Sequence, residues 1–180
     1  MSNIVFTTKR LRFRTWTEED RMPLRELNAS SEVMEHFPDV LSAEESDKLF
    51  DKIQAYHKER GYGVWAVDRI DQDHPAFIGL IGFNSPNYDL LGGADWTEIL
   101  WRTKPSSWGS GLATEGAKAA LDYAFGSLGL STIYSMTILK NVRSERVMQK
   151  IGMRHIGFFD HPELPSDSPL LKHTLYKIER

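Results

Sequence analysis

The feature that most constrains this chain is a glycine-spaced segment, Trp108-Gly109-Ser110-Gly111-Leu112-Ala113-Thr114-Glu115, which we call the cradle loop. It joins a predicted strand, Glu98 to Thr103, to a predicted helix that runs to about Leu128. A glycine-spaced turn that opens a helix leaves backbone N–H groups unpaired, and the helix dipole favours negative charge where they converge. The cradle loop therefore predicts an anion site, and a diphosphate is the ligand that we expect there.

Two familiar phosphate-binding loops fit this segment poorly. A P-loop ends in Gly-Lys-Ser/Thr, whereas Leu112-Ala113-Thr114 contains no lysine, which disfavours ATP. The dinucleotide fingerprint requires glycine or alanine where Thr114 stands and an acidic residue on the next strand. The next predicted strand, Ser131 to Thr137, contains no acidic residue, so NAD is disfavoured as well.

Length and charge bound the class of protein. A chain of 180 residues is expected to form one domain, residues 1–180, that buries roughly 70% of its unfolded surface. With 41% hydrophobic and 26% charged residues, the composition is that of an ordinary globular protein. The net charge of −3 gives no reason to expect binding to nucleic acid or to an anionic membrane, and it favours a cationic amine as partner.

Cysteine content and apolar runs narrow the chemistry and the location. The chain has no cysteine, which excludes disulfides, thiolate metal sites and an acyl-cysteine intermediate, so acyl transfer would have to be direct. The first ten residues lack the apolar core of a signal peptide, and the longest apolar run, Ala76 to Phe83, is too short to span a bilayer. These features predict a cytoplasmic protein.

Alternating apolar positions and capping signals predict a single mixed α/β sheet without repeats or linkers. Leu11 and Phe13 alternate with arginines as in a half-buried strand, and a capping box at Ser42 to Glu45 begins a helix that Gly61 ends. The other predicted elements are a helix from Thr17 to Ala29, a hairpin of strands 62–68 and 76–84, a loop over 84–95, a helix from Asn141, a strand over 154–159, a loop over 161–169 and a strand over 170–178.

The cradle loop resembles the coenzyme A loop of the GNAT superfamily of acetyltransferases, because Gly111 and Ala113 match the Gly-x-Gly/Ala end of that loop. Ala113-Thr114-Glu115 is similar to the ribosomal-protein N-terminal acetyltransferase (Rim-like) branch. The resemblance extends from about residue 8 to residue 178. It includes Thr8 to Arg14 followed by Thr17 to Asp20, Asn141-Val142-Arg143-Ser144, and Lys150-Ile151-Gly152-Met153, which is similar to a Lys-x-Gly-Phe helix end.

The resemblance implies a fold, a cosubstrate and a partner. The GNAT fold has a central, mostly antiparallel sheet of six to seven strands, flanked by helices, with a V-shaped splay for coenzyme A. The implied cosubstrate is acetyl-CoA without a metal, and the implied partner is an amine, either a protein N-terminus or a small molecule, acted on by a monomer or homodimer. The implied coenzyme contacts are Leu100, Trp101, Trp108, Gly109, Ser110, Gly111, Leu112, Ala113, Thr114, Asn141 and Ser144.

Two of these residues have a second interpretation. Trp108 stands where the wider superfamily has Gln or Arg, so it either contacts the coenzyme or packs under the loop. Asn141 is expected to cap its helix whatever the function, because Asn is among the best N-cap residues. The resemblance adds a contact between Asn141 and the pantetheine arm.

Transfer of an acyl group to an amine requires a base for the ammonium proton, and an acid assists the leaving thiolate. The alternation of the strand places Glu98, Leu100 and Arg102 on one face. The resemblance implies a carboxylate on this strand that acts directly or through water, so we expect Glu98 to be the base. The alternative is a structural ion pair between Glu98 and Arg102 or another cation.

The usual general acid is missing from this sequence, because the superfamily often has a tyrosine where this chain has Met148. Ser144 resembles the serine that Rim-like enzymes place near the sulfur, so the resemblance assigns it the acid role. The alternative is a polar residue in the first turn of a helix. Tyr134 and Tyr176 remain open as further candidates.

The six histidines show no pair at helical metal-ligand spacing, so no metal is expected. His161 precedes the last predicted strand, in a loop that borders the acceptor cleft of the family the chain resembles. With Asp160 and Glu163 it could attract or deprotonate an amine, or these residues could simply keep the loop soluble.

The sequence thus predicts an acetyl-CoA-dependent N-acetyltransferase that works by direct transfer in a ternary complex. One alternative is a module that binds acyl-CoA as a sensor or partner with little catalysis. Another is a nucleotide-binding domain that uses the cradle loop for a different phosphate ligand.

Overall fold

A computed structural model describes residues 2–91 and 96–180. Within them the chain forms four helices and one eight-stranded sheet with the strand order β1-β2-β3-β4-β5-β6-β8-β7. The elements are β1 (Ile4–Thr7), β2 (Leu11–Arg14), α1 (Arg21–Ala29), α2 (Ala43–Arg60), β3 (Val64–Arg69), β4 (Ala76–Asn84), β5 (Glu98–Thr103), α3 (Leu112–Gly126), β6 (Thr132–Ile138), α4 (Val142–Lys150), β7 (Arg154–Asp160) and β8 (Lys172–Glu179).

The predicted mixed α/β GNAT fold is confirmed, and the sheet has eight strands where six to seven were expected. The additional strand is β1, which pairs antiparallel with β2 through a register shift between Ile4 and Phe6. The predicted loop contains no strand or helix over residues 85–91, and residues 92–95 lie outside the described part. The extent of the domain, residues 1–180, stays a prediction.

The sheet splits where β5 and β6 run side by side. Every other neighbouring pair is antiparallel, whereas β5 and β6 are parallel and share one register pair, Glu98 opposite Tyr134. Just beyond it, the Ser135 hydroxyl donates a hydrogen bond to the Ile99 carbonyl at 2.9 Å, in place of a backbone ladder. The two strands therefore leave a gap, which is the V-shaped splay that the resemblance implied.

Helix α3 packs closely on the sheet because its buried side carries small residues, among them Ala117, Ala120 and Ala124. A Cβ on Gly116 would lie 2.5 Å from Cδ1 of Ile81 on β4, so only glycine fits without displacing a core side chain. This contact fixes the N-terminus of α3, where the cradle loop ends.

The opposite face of the sheet carries α1 and α2. The predicted capping box of Ser42 and Glu45 begins α2, and Gly61 ends it with φ of 76°. A buried ion network links β2 to β3 and to the entry of α1: Arg14 lies 2.7 Å from an Asp20 oxygen and 2.8 Å from an Asp68 oxygen. No helix in the described ranges is long and apolar enough to cross a membrane.

Candidate active site

A cleft of about 740 Å³ opens at the splay between β5 and β6. Its walls are the cradle loop, the first turns of α4, the segment between α1 and α2, and the segment between β7 and β8. Nearly all the residues singled out from the sequence line this cleft: Glu98, Leu100, Trp101, Trp108, Gly109, Gly111, Leu112, Ala113, Thr114, Asn141, Ser144 and His161. Ser110 does not, since its hydroxyl donates to the Ser107 carbonyl at 2.6 Å.

The cradle loop has the free donors that an anion site needs. Gly109 and Gly111 adopt φ of 72° and 80°, which other residues adopt only with strain. The backbone N–H groups of residues 109–114 donate to no other described residue, whereas the N–H of Glu115 bonds to the Gly111 carbonyl at 3.0 Å. Six consecutive donors are therefore left at the positive end of α3, an arrangement that suits a diphosphate.

The carboxylate at the end of the cradle loop, that of Glu115, is neutralised. Arg10 contacts the Glu115 carboxylate at 2.6 Å, and the Thr8 hydroxyl donates to the same carboxylate at 2.6 Å. These contacts lower the pKa of Glu115 against the cost of its burial. Arg10 also donates to the Ser110 carbonyl at 2.9 Å, so β2 and its approach hold the loop in shape.

Trp108 packs within the loop and also lines the cleft, while its contact with the coenzyme stays a prediction. Its indole N–H donates within the loop, to the carbonyl and hydroxyl oxygens of Thr103 at 3.0 and 3.1 Å, while its side chain also lines the cleft. The Arg143 guanidinium lies over the Trp108 ring at 4.1 Å and contacts the Glu35 carboxylate at 2.9 Å. An arginine that is ion-paired with Glu35 thus lines the cleft next to the cradle loop.

The start of α4 lies across the cleft. The Asn141 side-chain oxygen accepts from the Ser144 N–H at 3.1 Å, so the predicted N-cap is confirmed. The Ser144 hydroxyl donates to no described residue and lines the cleft. The two alternative tyrosines differ from it: Tyr176 is hydrogen-bonded to Glu145 at 2.9 Å, and Tyr134 packs against Trp96 with ring centroids 5.8 Å apart, and neither lines the cleft.

Glu98 is a buried carboxyl group that forms no hydrogen bond or ion pair with any described residue. Its residue exposure is 9%, and no donor or cation among the described residues contacts the carboxyl group. Burial raises the pKa of Glu98 to about 8, because water no longer stabilises the charged form. The alternative ion pair with Arg102 does not form, since Arg102 donates instead to the Asn28 side chain at 2.5 Å.

His161 is hydrogen-bonded through both ring nitrogens. Nδ1 accepts from the Glu163 backbone N–H at 3.3 Å, and Nε2 lies 3.2 Å from the Tyr88 hydroxyl, which donates to the Met136 sulfur at 3.3 Å. This pattern fits a neutral ring with its proton on Nε2. Burial lowers the pKa of His161, and the nearby Glu163 only partly opposes that change.

Charged side chains of both signs line the cleft. Glu32, Glu98 and Glu163 supply three carboxyl groups, and Arg102, Arg143, Arg146 and Lys150 supply four basic groups. Burial and the negative charges of Glu98 and Glu163 raise the pKa of Tyr88, whose hydroxyl lies 3.2 Å from Nε2 of His161. Across the described ranges, no cluster of three or more His, Asp or Glu side chains is arranged to hold a metal ion.

The comparisons with known proteins identify the class of protein. Residues 10–154 match the acetyltransferase (GNAT) domain family, and the chain therefore belongs to this family. It is an acyltransferase. Membership agrees with the split sheet and with the loop of free N–H donors at its open end.

Individual relatives agree with this assignment. The chain is 35% identical over 153 residues to the uncharacterised N-acetyltransferase YnaD of Bacillus subtilis, covering 85% of this chain and 84% of that protein. A GNAT-family acetyltransferase structure from Bacillus anthracis superimposes with a TM-score of 0.78 at 28% identity, over 99% of this chain and 98% of that one. The structure of spermidine N-acetyltransferase from Vibrio cholerae, in complex with CoA and spermine, gives a TM-score of 0.72 over 96% of each chain; at 18% identity it shows a shared fold.

Three residues of the site were missed or misjudged in the sequence. Arg10 meets Glu115 across 105 positions of chain, and no local pattern predicts that contact. Tyr88 lies in a segment that had only the composition of a loop. Arg102 was placed on the correct face of β5, but only as a possible partner of Glu98.

Proposed function

We propose that this protein is an acetyl-CoA-dependent N-acetyltransferase that moves an acetyl group directly to a primary amine. One observation carries the proposal. A single cleft contains both the unpartnered, buried carboxyl group of Glu98 and the free N–H donors of the cradle loop. The first suits a base for an ammonium group, and the second suits the diphosphate of the acetyl donor.

We propose that the N–H groups of residues 109–114 hold this diphosphate. Arg143, Arg146 and Lys150 line the same cleft and would supply opposite charge. Leu100 and Trp101 on β5, and Asn141 at the start of α4, lie on the two sides of the splay and would contact the pantetheine arm. The fit rests on the free donors and on the positive φ of the loop glycines.

Glu98 is the proposed general base. In its ionised form it takes a proton from the ammonium group, directly or through one water, and the amine then attacks the thioester carbonyl. A pKa of about 8 brings the carboxyl group near the pKa of many ammonium groups, which favours proton transfer close to neutral pH. His161 is the second candidate, although both of its ring nitrogens already have partners.

Ser144 is the proposed acid. As the carbon–sulfur bond breaks, the Ser144 hydroxyl donates a proton to the thiolate, and the proton lost by the acylated nitrogen returns through solvent to the serine oxygen. Ser144 is preferred over Tyr134 and Tyr176 because it lines the cleft and its hydroxyl donates to no other described residue. No covalent acyl-enzyme is required, so we expect sequential kinetics.

The acceptor is proposed to be a primary amine of a small molecule or of a protein N-terminus. Glu32, Glu98 and Glu163 suit a cationic acceptor, and the Vibrio cholerae neighbour is a spermidine acetyltransferase by name. The Rim-like sequence of the cradle loop favours a protein N-terminus. Cytoplasmic location and the choice between monomer and homodimer stay predictions.

Thermal unfolding with ligands tests the proposal first. Acetyl-CoA at a hundred times its dissociation constant should stabilise the protein by about 2.7 kcal/mol. For a chain of this length, the melting temperature should rise by roughly 5–10 °C. ATP and NADH serve as controls, and a rise with either of them instead would favour the alternative nucleotide-binding domain.

Kinetics separate an enzyme from a sensor module. An enzyme should release coenzyme A thiol when amines are added, whereas a sensor should show the thermal shift without thiol release. The Glu98→Gln variant should bind acetyl-CoA normally and lose about 100-fold or more in kcat/KM, because a positioned general base contributes that much. Glu26→Gln, an exposed change on α1, is the matched control. Normal turnover of Glu98→Gln across pH would move the base to another residue.

A further inference from the structure

Arg102 is a half-buried cation with unused hydrogen-bonding capacity. Its Nε is one of two buried side-chain polar atoms in the described ranges that have no hydrogen-bond partner. One terminal nitrogen donates to the Asn28 oxygen at 2.5 Å, and the guanidinium lies over the Phe37 ring at 4.4 Å. These two contacts fix the plane of the fork and leave an N–H unpaired.

No acidic side chain balances this charge. Among the described residues, no carboxylate lies within ion-pair distance of Arg102, and burial lowers its pKa to about 10. Burying an arginine is unfavourable unless an anion pairs with it. The two side chains that contact the guanidinium, Asn28 and Phe37, are neutral, so neither supplies the missing charge.

Arg102 lines the cleft on the same face of β5 as Glu98 and Leu100. That face lies toward α1 and α2, because Leu100 packs against the core cluster beneath those helices and Arg102 reaches Asn28 on α1. An acceptor amine that reaches Glu98 from this side therefore passes Leu100 and comes within reach of the guanidinium.

We infer that Arg102 binds a carboxylate carried by the acceptor, so that the acceptor of this enzyme is an amine that is also an acid. A guanidinium held by the Asn28 side chain and the Phe37 ring suits a singly charged carboxylate, which a guanidinium fork binds through two parallel hydrogen bonds. The Cα atoms of Glu98 and Arg102 are about 13 Å apart along the strand. The carboxylate consequently stands several bonds from the reacting nitrogen.

This inference rests on the proposed transfer to an amine, and its test compares acceptors in matched pairs. Each pair is an amino acid or peptide and its amide: γ-aminobutyrate, ε-aminocaproate and trialanine, each with a free or an amidated carboxylate. We expect kcat/KM to be about 10- to 100-fold higher for the free acid of the best pair, as a charge-assisted hydrogen bond predicts. This comparison uses the unaltered protein and needs no variant.

Variants assign the preference to Arg102. Arg102→Gln should abolish the difference between acid and amide through KM, and Arg102→Lys should keep part of it, because the charge remains but the fork is lost. Arg154→Gln removes an exposed arginine on β7 and should leave the preference unchanged. A preference that survives Arg102→Gln overturns the assignment.

A binding measurement distinguishes failure of this inference from failure of the proposed function. If no amine causes acetyl-CoA to release its thiol, the proposed transfer to an amine is wrong. Calorimetry of the same acid and amide pairs, titrated into the protein with coenzyme A bound, then decides the role of Arg102. Tighter binding of the acid that Arg102→Gln removes supports the inference. Equal kcat/KM within every pair, or no difference in binding within any pair, overturns it.

Discussion

Replacing Glu98 by glutamine should stabilise the ligand-free protein, and the gain should grow with pH. The reason is the buried, unpartnered carboxyl group, whose pKa rises from an ordinary 4.5 to about 8. Between these two values the folded protein keeps a proton that the unfolded chain has lost. Stability therefore falls as pH rises through this window and levels off above pH 8. Glutamine has the same shape and no charge to bury, so the variant does not pay this cost.

The expected size follows from the width of the window. Each pH unit contributes about 1.4 kcal/mol, so the loss in the unaltered protein reaches on the order of 5 kcal/mol above pH 8. At pH 7 it is about 3 kcal/mol, which corresponds to roughly 6–12 °C in melting temperature for a chain of this length. Below about pH 4.5 Glu98 is protonated in both the folded and the unfolded protein, so this loss of stability disappears and the variant should be as stable as the parent.

Urea unfolding at a series of pH values from about 5 to 9 measures this directly, with Glu98→Gln beside the parent. Glu26→Gln, the exposed control on α1, should run parallel to the parent at every pH. If Glu98→Gln also runs parallel to the parent, the carboxyl group titrates as it does in water. Burial would then not raise the pKa of Glu98, and its proposed role as a base that works near neutral pH would be refuted.

Two further changes test the cradle loop and the ion network. Gly111→Ala places a side chain at φ of 80°, so it should cost about 1–2 kcal/mol of stability and weaken acetyl-CoA binding. Gly126→Ala, at the end of α3, should be neutral or stabilising. If calorimetry shows the same stability and the same acetyl-CoA binding for both variants, the positive φ of Gly111 is not what shapes the cradle loop. Arg14→Met removes the arginine paired with the buried Asp20 carboxylate and leaves Asp68 with Arg12 alone, so it should lower the free energy of unfolding by about 3–5 kcal/mol. Arg154→Met on the surface should change it little, and an equal effect of the two variants in urea unfolding would show that the buried network does not stabilise the fold.

The sequence predicts those parts of the fold that depend on local patterns. Capping residues and alternation locate α2, β5 and the start of α4 to within a residue or two, because their signals are short in range. Strand β1 was missed, since four residues with one register shift carry almost no alternation. The predicted last strand began two residues early, because Leu170 and Leu171 are apolar but precede the ladder.

In the site, too, only the features that depend on local sequence could be predicted. The cradle loop is one of them, because its N–H donors are consecutive in the chain and its glycines determine the backbone geometry. Tyr88 and the pairing of Arg10 with Glu115 could not, because both depend on which loops the tertiary fold brings together. Arg102 illustrates this limit. Alternation placed it on the same face as Glu98, but only the tertiary packing shows that it donates to Asn28 and forms no ion pair with a described carboxylate.

The split between β5 and β6 connects the two halves of the site. After Glu98, β5 keeps its backbone ladder with β4 on one edge, while its other edge faces the cleft. Backbone groups away from water need partners, so the open edges of both strands favour an occupant that offers amide donors and acceptors. The pantetheine arm of acetyl-CoA has such amides. The same split leaves the Glu98 carboxyl group where the two strands separate. On one side of it lies the open strand edge that suits acetyl-CoA, and on the other lies the face of β5 where Arg102 suits an acidic acceptor.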